Sequence, residues 1–421
     1  MRIRARVGGR RRLRLLGLAA GLIVALAACG GSASSGASSG SGSKAATGSP
    51  IPVGGICDVT GPNSFVESCQ AAKAYFDQVN SQGGIKGHPI TYTSEDEANN
   101  ASTAAQVGSR LIDQTKVDAL VGGANMYQCS ENASLMASSG VYAIDGLGID
   151  AACWRIPQDT PVNNGPLLGY AVALYFLSKV QHEQNLCAMA ANLPNALPTA
   201  YNAFNVVPQI IGQPVHKALL WTPGGDLTPI VTGTKDNNCK ALVMIGSEPT
   251  FISMMRTATS QGMTDGSITW MGLTTGYTTH AAQSIAQASG YWVNSELAPW
   301  SLDTGTVAEF KQLQKKAGFL LDSTAECGYL AAKMFVKALN TINGPITRQS
   351  VGQAMAAMKN VSTDGLTGQP FTWGTYNLSS QFLQLKQGKF EPYGGPQGKW
   401  YTVPATPAQV KSIVTGQPVS R

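Results

Sequence analysis

The chain has 421 residues, of which 43% are apolar and 13% charged, with a formal net charge of +6. Seven of its 30 Lys and Arg precede Leu15 and none of its 24 Asp and Glu do, so the remainder carries 23 basic against 24 acidic residues. A near-neutral body without a Lys/Arg cluster offers no electrostatic footprint for nucleic acid, which excludes that class. About 370 residues follow the first fifty, enough for two domains of ordinary size.

Arg2, Arg4, Arg6, Arg10, Arg11, Arg12 and Arg14 lead into an apolar stretch that runs from Leu15 to Leu26-Ala27-Ala28 and meets Cys29. A charged start, a short apolar segment and small residues at its end predict a secretory signal over residues 1–28. The segment is too short for a comfortable membrane-spanning helix. Leu26-Ala27-Ala28-Cys29 resembles the lipobox of bacterial lipoproteins, which implies that Cys29 is lipidated, becomes the new N-terminus and ties the protein to the extracytoplasmic face of the cell membrane. Residues 29–50 are almost wholly Gly, Ser, Ala and Thr and cannot bury apolar surface, so a flexible tether reaching about 25 Å is expected.

In the body, Val53–Val59 reads as a buried strand followed by turn residues. Phe65, Cys69, Ala72, Phe76 and Val79 form one helical stripe that stops at Gly83-Gly84. A strand is expected at Pro89–Thr93, a helix at Ala104–Gln114, strands at Ala119–Gly123 and Val141–Asp145, and a helix around Glu131–Ser138 between them. The alternation then begins again, with a helix at Gly165–Val180 and strands at Leu186–Ala191, Ala241–Ile245 and Ile268–Gly272. A helix at Phe251–Gln261 lies between the last two. This is the βαβ pattern of parallel sheets covered on both faces, in two successive α/β lobes. Late helices at Val307–Ala317 and Glu326–Asn343 need a lobe to cover, and short strands are expected around Phe371–Trp373 and Trp400–Val403. Ligands of such sheets sit outside the carboxyl ends of the strands.

Export makes disulfides the expectation for Cys57, Cys69, Cys129, Cys153, Cys187, Cys239 and Cys327. Seven is odd, so at least one is free. Cys129 and Cys153 fall on loops after adjacent strands, and Cys187 and Cys239 each start a strand, which makes these two pairs the candidates. Among Cys57, Cys69 and Cys327, one stays unpaired if the other two bridge. There is no Cys-x-x-Cys or His-rich spacing for zinc, no cofactor motif and no catalytic elbow or phosphate loop, so neither a metal, a cofactor nor an enzymatic activity is expected.

Ile51-Pro52-Val53-Gly54-Gly55, Thr60-Gly61-Pro62 and Asn80-Ser81-Gln82-Gly83-Gly84-Ile85-Lys86-Gly87-His88-Pro89-Ile90 resemble the opening of type I periplasmic binding proteins, nearest the leucine/isoleucine/valine-binding proteins of ABC importers. Leu120-Val121-Gly122-Gly123, Gly140-Val141-Tyr142-Ala143-Ile144 and Ala241-Leu242-Val243-Met244-Ile245-Gly246 extend the resemblance along the chain. It implies two doubly wound lobes joined by three crossovers: residues 51–160 plus 298–363, and 161–297 plus 364–403, with 404–421 as a tail. It also implies a monomer that binds a small-molecule solute without chemistry and hands it to permease and ATPase subunits.

By the same resemblance the ligand meets the loops after the strands. Asn63 or Ser64 would donate hydrogen bonds, or serve as turn and helix cap. Tyr127 and Gln128 occupy the loop whose counterpart offers serine and backbone donors to a carboxylate. Asp145, Gly146 and Leu147 follow the next strand, Asp145 as acceptor for a cation or amide or as a solvated loop acid. The second lobe would contribute Asn192, Ser247, Glu248, Thr274, Thr275 and Tyr277. Amino-acid binders carry an acid for the ligand ammonium where Thr274 or Thr275 stands here. Unless Glu248 or Asp145 substitutes, a plain α-amino acid is not the expected ligand, because it would leave a buried ammonium unpaired. A small polar or amphipathic organic solute is expected instead: amino-acid-like, an amide or an aromatic acid. A solute-sensing ectodomain without transport is the alternative.

Overall fold

The structure, a computed structural model, describes residues 46–192, 197–303 and 305–417. The signal segment, Cys29 and the tether as far as residue 45 lie outside the described residues, as do Leu193, Pro194 and Asn195 of one expected ligand loop. Among the described residues no helix is long and apolar enough to cross a membrane.

Lobe one opens with β1 (Ile51–Cys57), α1 (Val66–Ser81), β2 (Ile90–Asp96) and α2 (Ala101–Ser109), which runs on into a π-helical turn at Arg110–Gln114. Next come β3 (Ala119–Val121), β4 (Ala124–Asn125), α3 (Gln128–Ser139), β5 (Tyr142–Ile144) and β6 (Leu147–Gly148). β1 lies between β2 and the β3–β4 pair, with β5 and β6 beyond, all parallel. β1 is buried along almost its whole length because helices cover both faces of the sheet. β2 runs on past its apolar start to Asp96, since Ile56 and Cys57 of β1 continue to pair with Glu95 and Asp96.

Lobe two contains α4 (Gly165–Tyr175), continued by a π-helical turn at Phe176–Val180, then β7 (Leu186–Ala191), α5 (Leu197–Ile211), β8 (Lys217–Trp221), α6 (Thr228–Asp236) and β9 (Ala241–Met244). It proceeds through α7 (Glu248–Ser260), β10 (Asp265–Gly272), α8 (Thr279–Ser284) and β11 (Ser289–Ser295). The chain then returns to lobe one for α9 (Gly305–Ala317), α10 (Ser323–Thr341) and α11 (Arg348–Ala356). It ends in lobe two with β12 (Ser379–Lys386), β13 (Lys389–Pro392), β14 (Tyr401–Thr402) and α12 (Pro407–Thr415). The second sheet has the order β13-β12-β11-β10-β9-β7-β8, parallel from β8 to β11 and antiparallel at β12 and β13. Both lobes are thus doubly wound, with an order reversal beside β1 and beside β7. Three connections join them: β6 to α4, β11 to α9 and α11 to β12.

The late helices cover lobe one. α10 lies along α1, and Gly328 permits the approach, because a Cβ there would stand 2.0 Å from the Ser68 carbonyl oxygen. One apolar core runs from Val53 and Phe76 in lobe one to Trp270 and Tyr291 in lobe two.

Several expectations are corrected. The residues after 403 are not a tail: Thr406 and Gln409 form a capping box, Pro407 sits in the first turn, and left-handed Gly416 ends α12. α12 packs on α5 and α4. The tether does not stay free to residue 50, since the Gly48 N–H donates to the Gly87 carbonyl (2.8 Å) and His88 Nδ1 lies 2.8 Å from the Ser49 carbonyl oxygen. Around Phe371 only a single bridge to Val361 forms, not a strand. The cysteines pair as Cys57–Cys69, Cys129–Cys153 and Cys187–Cys239, leaving Cys327 free and fully buried on α10.

Candidate ligand-binding cleft

The carboxyl ends of both sheets converge on a cavity of about 670 Å³, counting the part open to solvent. From lobe one, Asn63 and Phe65 follow β1, Met126 follows β4, and Leu147, Gly148 and Ile149 come from β6 and its end. Asn163 belongs to the first connection, and Gly165 and Pro166 open α4. From lobe two come Ala191 of β7, Trp221 and Pro223 at β8, Ile245, Gly246 and Ser247 after β9, Leu273, Thr274 and Thr275 after β10, and Glu296 after β11. A second space of about 650 Å³ shares Met126, Ile149, Pro166, Ala191 and Ile245 with the first and extends to Asp150, Leu167, Tyr170 and Ala200. Most of this lining is apolar, as expected of a pocket for an organic solute.

Thr274 Oγ1 and Trp221 Nε1 are buried in this wall without a hydrogen-bond partner. Buried polar groups are normally satisfied, so such atoms mark places for ligand or water. Glu296 is 1% exposed, and its Oε2 accepts from the Asn164 N–H at 3.0 Å. Burial pushes its carboxyl up to about 8, against the pull of the Asn164 N–H and the Asn163 side chain. It is therefore mostly neutral at pH 7.

The lobe-one wall is held from behind by carboxyls. Asp96 accepts from the Val59 N–H (2.9 Å) and the Thr60 hydroxyl (2.6 Å). Asp58 accepts from the Asn99 N–H (2.6 Å), and Asn99 Oδ1 in turn accepts from the Asn63 N–H (3.0 Å). Glu97 Oε1 accepts from the Met126 N–H (2.6 Å) and the Tyr127 N–H (2.9 Å), which fixes Met126 in the wall. Burial and then the neighbouring Asp58 raise the Glu97 carboxyl to about 8. Asp150 accepts from the Ser130 N–H (2.7 Å) and the Ala152 N–H (2.9 Å).

Of the residues expected to meet a ligand, Asn63, Leu147, Ser247, Thr274 and Thr275 line the cavity. The others are placed elsewhere. Ser64 is exposed beside it. Tyr127 caps α3 and contributes its backbone N–H to Glu97. Gln128 is buried behind the wall, its Nε2 against Met136 Sδ at 3.4 Å. Asp145 is no solvated acid: it is buried beside Asp159 and the Cys129–Cys153 bridge, where burial raises both carboxyls. The ligand atoms of Cys129, Asp145, Cys153 and Asp159 lie within 4.8 Å of one another, but the bridge leaves no thiolate to hold a cation. Gly146 backs onto α1 and α10, where a Cβ would stand 2.4 Å from Ser68 Oγ.

In lobe two, Asn192 is exposed and donates its N–H to the Trp221 carbonyl (2.7 Å). Glu248 receives the Thr278 hydroxyl and pairs with His280 Nδ1 (2.6 Å). Tyr277 is fully buried and stacks on Trp300, with ring centroids 4.6 Å apart. So neither Glu248 nor Asp145 supplies an acid to the cleft. Glu296 does, and it carried no signal in the sequence because it stands in a lobe connection rather than in a glycine- or hydroxyl-rich loop. Trp221 was detectable as the end of the strand Lys217–Trp221, which sequence reading passed over.

No curated protein sequence matches the chain. Among solved structures, it is similar to the branched-chain amino acid transporter substrate-binding protein LivJ of Streptococcus pneumoniae, in complex with isoleucine, at 16% identity and a TM-score of 0.69, covering 81% of this chain and 98% of that one. An ABC transporter solute-binding protein from R. palustris, in complex with 4-hydroxybenzoate, gives 16% and 0.69 over 84% and 97%. A fatty acid ABC transporter substrate-binding protein from Thermomonospora curvata gives 18% and 0.69 over 86% and 96%. These likenesses establish the fold. The family profile described as periplasmic binding protein matches residues 50–389, and the chain therefore belongs to the periplasmic binding protein family.

Proposed function

We propose that the chain is a monomeric, extracytoplasmic solute-binding protein that captures a small amphipathic organic solute by closure of its two lobes and delivers it to the permease and ATPase subunits of an ABC importer. The observation that carries this reading is the convergence of strand ends from both sheets on one largely apolar cavity containing two unpartnered polar atoms. Hinge closure about short connections is a common route to burying such a ligand. The solved relatives hold isoleucine or 4-hydroxybenzoate, or are described for fatty acids, so the same fold serves solutes with apolar bodies. Lipidation of Cys29 would keep the captured solute near its transporter.

Thermal unfolding of the protein against amino acids, amides, ureas, aromatic acids and amines tests capture. A ligand at a hundredfold excess over its Kd stabilises by about 2.7 kcal/mol, and small-angle scattering should contract with the same ligand. If no solute in the panel stabilises the protein, solute capture is refuted. Leucine, isoleucine and valine are expected to give no shift. Cys29→Ser should move the protein from the membrane fraction to the medium in the native host.

A further inference from the structure

We propose that the cleft selects solutes carrying a protonated nitrogen and no carboxylate, an apolar primary amine being the simplest, with Glu296 receiving the nitrogen; this rests on the reading of the cleft as a solute site. Two independent observations lead to it.

The first concerns where an anion could go. A helix N-terminus beside a cleft offers free N–H groups to a carboxylate, and α3 begins just behind Met126. Its donors are already engaged. The Met126 and Tyr127 N–H groups end on Glu97, and the Ser130 N–H ends on Asp150. A ligand carboxylate at this helix start would have to displace an internal carboxyl and then lie beside it.

The second is the charge of the wall. The two connected spaces are lined by no Lys, Arg or His among the described residues, and their carboxyls are those of Glu296 and Asp150. Arg155, which reaches Thr199 at 3.0 Å, is not part of the cavity wall and also donates to the Val414 carbonyl (2.8 Å). A carboxylate entering this space finds no cationic side chain in the lining, whereas an ammonium finds a buried acid that can ionise against it. Glu296 and the unpartnered Thr274 hydroxyl line the same cavity, which offers an ammonium a carboxylate and a hydroxyl acceptor while its apolar body lies against Met126, Ile149 and Ile245.

Binding an ammonium must then expel the proton that Glu296 otherwise carries. The Cys327 thiol of α10 also senses Glu296, and burial keeps that thiol protonated throughout the range concerned. Amine affinity should therefore rise about tenfold per pH unit below pH 8, with a proton released on binding.

The experiment titrates the protein calorimetrically with amine, alcohol and carboxylate on each of several apolar bodies: butyl, hexyl, cyclohexylmethyl and phenethyl. The amine is expected to bind tightest on the body that fits, with an enthalpy at pH 7 that depends on the buffer's protonation enthalpy. Glu296→Gln keeps an acceptor for the Asn164 N–H, so the variant should fold with an unchanged circular dichroism spectrum. It should lose at least tenfold in amine affinity and all of the pH dependence, and keep alcohol binding. The proposal is overturned if carboxylates or alcohols bind and amines do not, or if Glu296→Gln leaves amine affinity unchanged. Either of those results leaves solute capture standing, whereas silence from every compound in this series and in the wider panel removes both readings.

Discussion

The two walls of the cleft are built on opposite plans. In lobe one the backbone of the cavity loops is tied to internal carboxyls: Asp96 holds the loop after β1, Glu97 and Asp150 hold the loop into α3, and the Cys129–Cys153 bridge lies behind. In lobe two, Trp221 Nε1 and Thr274 Oγ1 stand without partners in the cavity lining itself, whereas unpartnered atoms of lobe one such as Asp58 Oδ2, Glu97 Oε2, Asn125 Oδ1 and Gln128 Oε1 lie behind the lining. On the proposed reading, lobe one would be the fixed wall and lobe two would supply the polar contacts to a guest. Burying an unmatched polar atom costs stability, and at Trp221 and Thr274 a ligand in the cavity would remove that cost.

The sharpest way to break this comparison is to cut one bridge in each lobe. Cys129→Ala with Cys153→Ala opens a closure of 24 residues, and Cys187→Ala with Cys239→Ala one of 52. Either change should cost about 3–4 kcal/mol on the loop-entropy estimate, read as a lower urea midpoint. Only the first should also weaken ligand binding, because Cys187 starts β7 and Cys239 precedes β9, both at the ends of their strands remote from the cleft. Equal loss of affinity in the two variants would erase the distinction between the walls.

A smaller effect is expected at Glu97. Glu97→Ala strands two N–H groups and should cost about 1–3 kcal/mol. Glu97→Gln keeps an acceptor and tests the pH dependence instead. The folded-state value of about 8 lies above the ordinary 4.5. The folded protein therefore retains a proton that the unfolded chain gives up. Its contribution to stability is complete below pH 4.5 and is lost as pH rises through 8, with a slope of up to about 1.4 kcal/mol per pH unit. Denaturation midpoints across pH 5–8 should fall less steeply in the Gln variant.

The smallest effect should come from lobe two. Thr274→Val removes an unpartnered hydroxyl and should leave stability within about 0.5 kcal/mol of the parent. Affinity for the ligand should drop roughly fivefold to tenfold, the worth of one hydrogen bond of about 1 kcal/mol. A large loss of stability would show that the hydroxyl serves the fold rather than the guest.

Much of this architecture was legible in the sequence, because periodicity reports burial directly. The stripe from Phe65 to Val79 became α1, and Leu186–Ala191 became β7 residue for residue. The loops that reach the cleft were also legible, since they follow from the strand order. Which side chain of a loop turns inward was not. In the loop into α3, Met126 rather than Tyr127 or Gln128 faces the cavity, and the deciding contact comes from Glu97, some thirty residues away. Glu296 was hidden for a related reason: a buried acid shows its character only through its surroundings. α12 is a different case, since its capping box, proline and terminal glycine were all present in the sequence and went unread.

Cys327 has a consequence for how the exported chain keeps its covalent pattern. Thiol–disulfide exchange needs a thiolate with access to a sulfur. This thiol is sealed on the buried face of α10, and burial drives its acidity far down. The odd sulfur therefore cannot attack the three bridges or cross-link two molecules while lobe one stays folded. An alkylating dye such as a maleimide would react with it only as that lobe opens, which makes the spare cysteine a built-in clock for the integrity of the rigid wall.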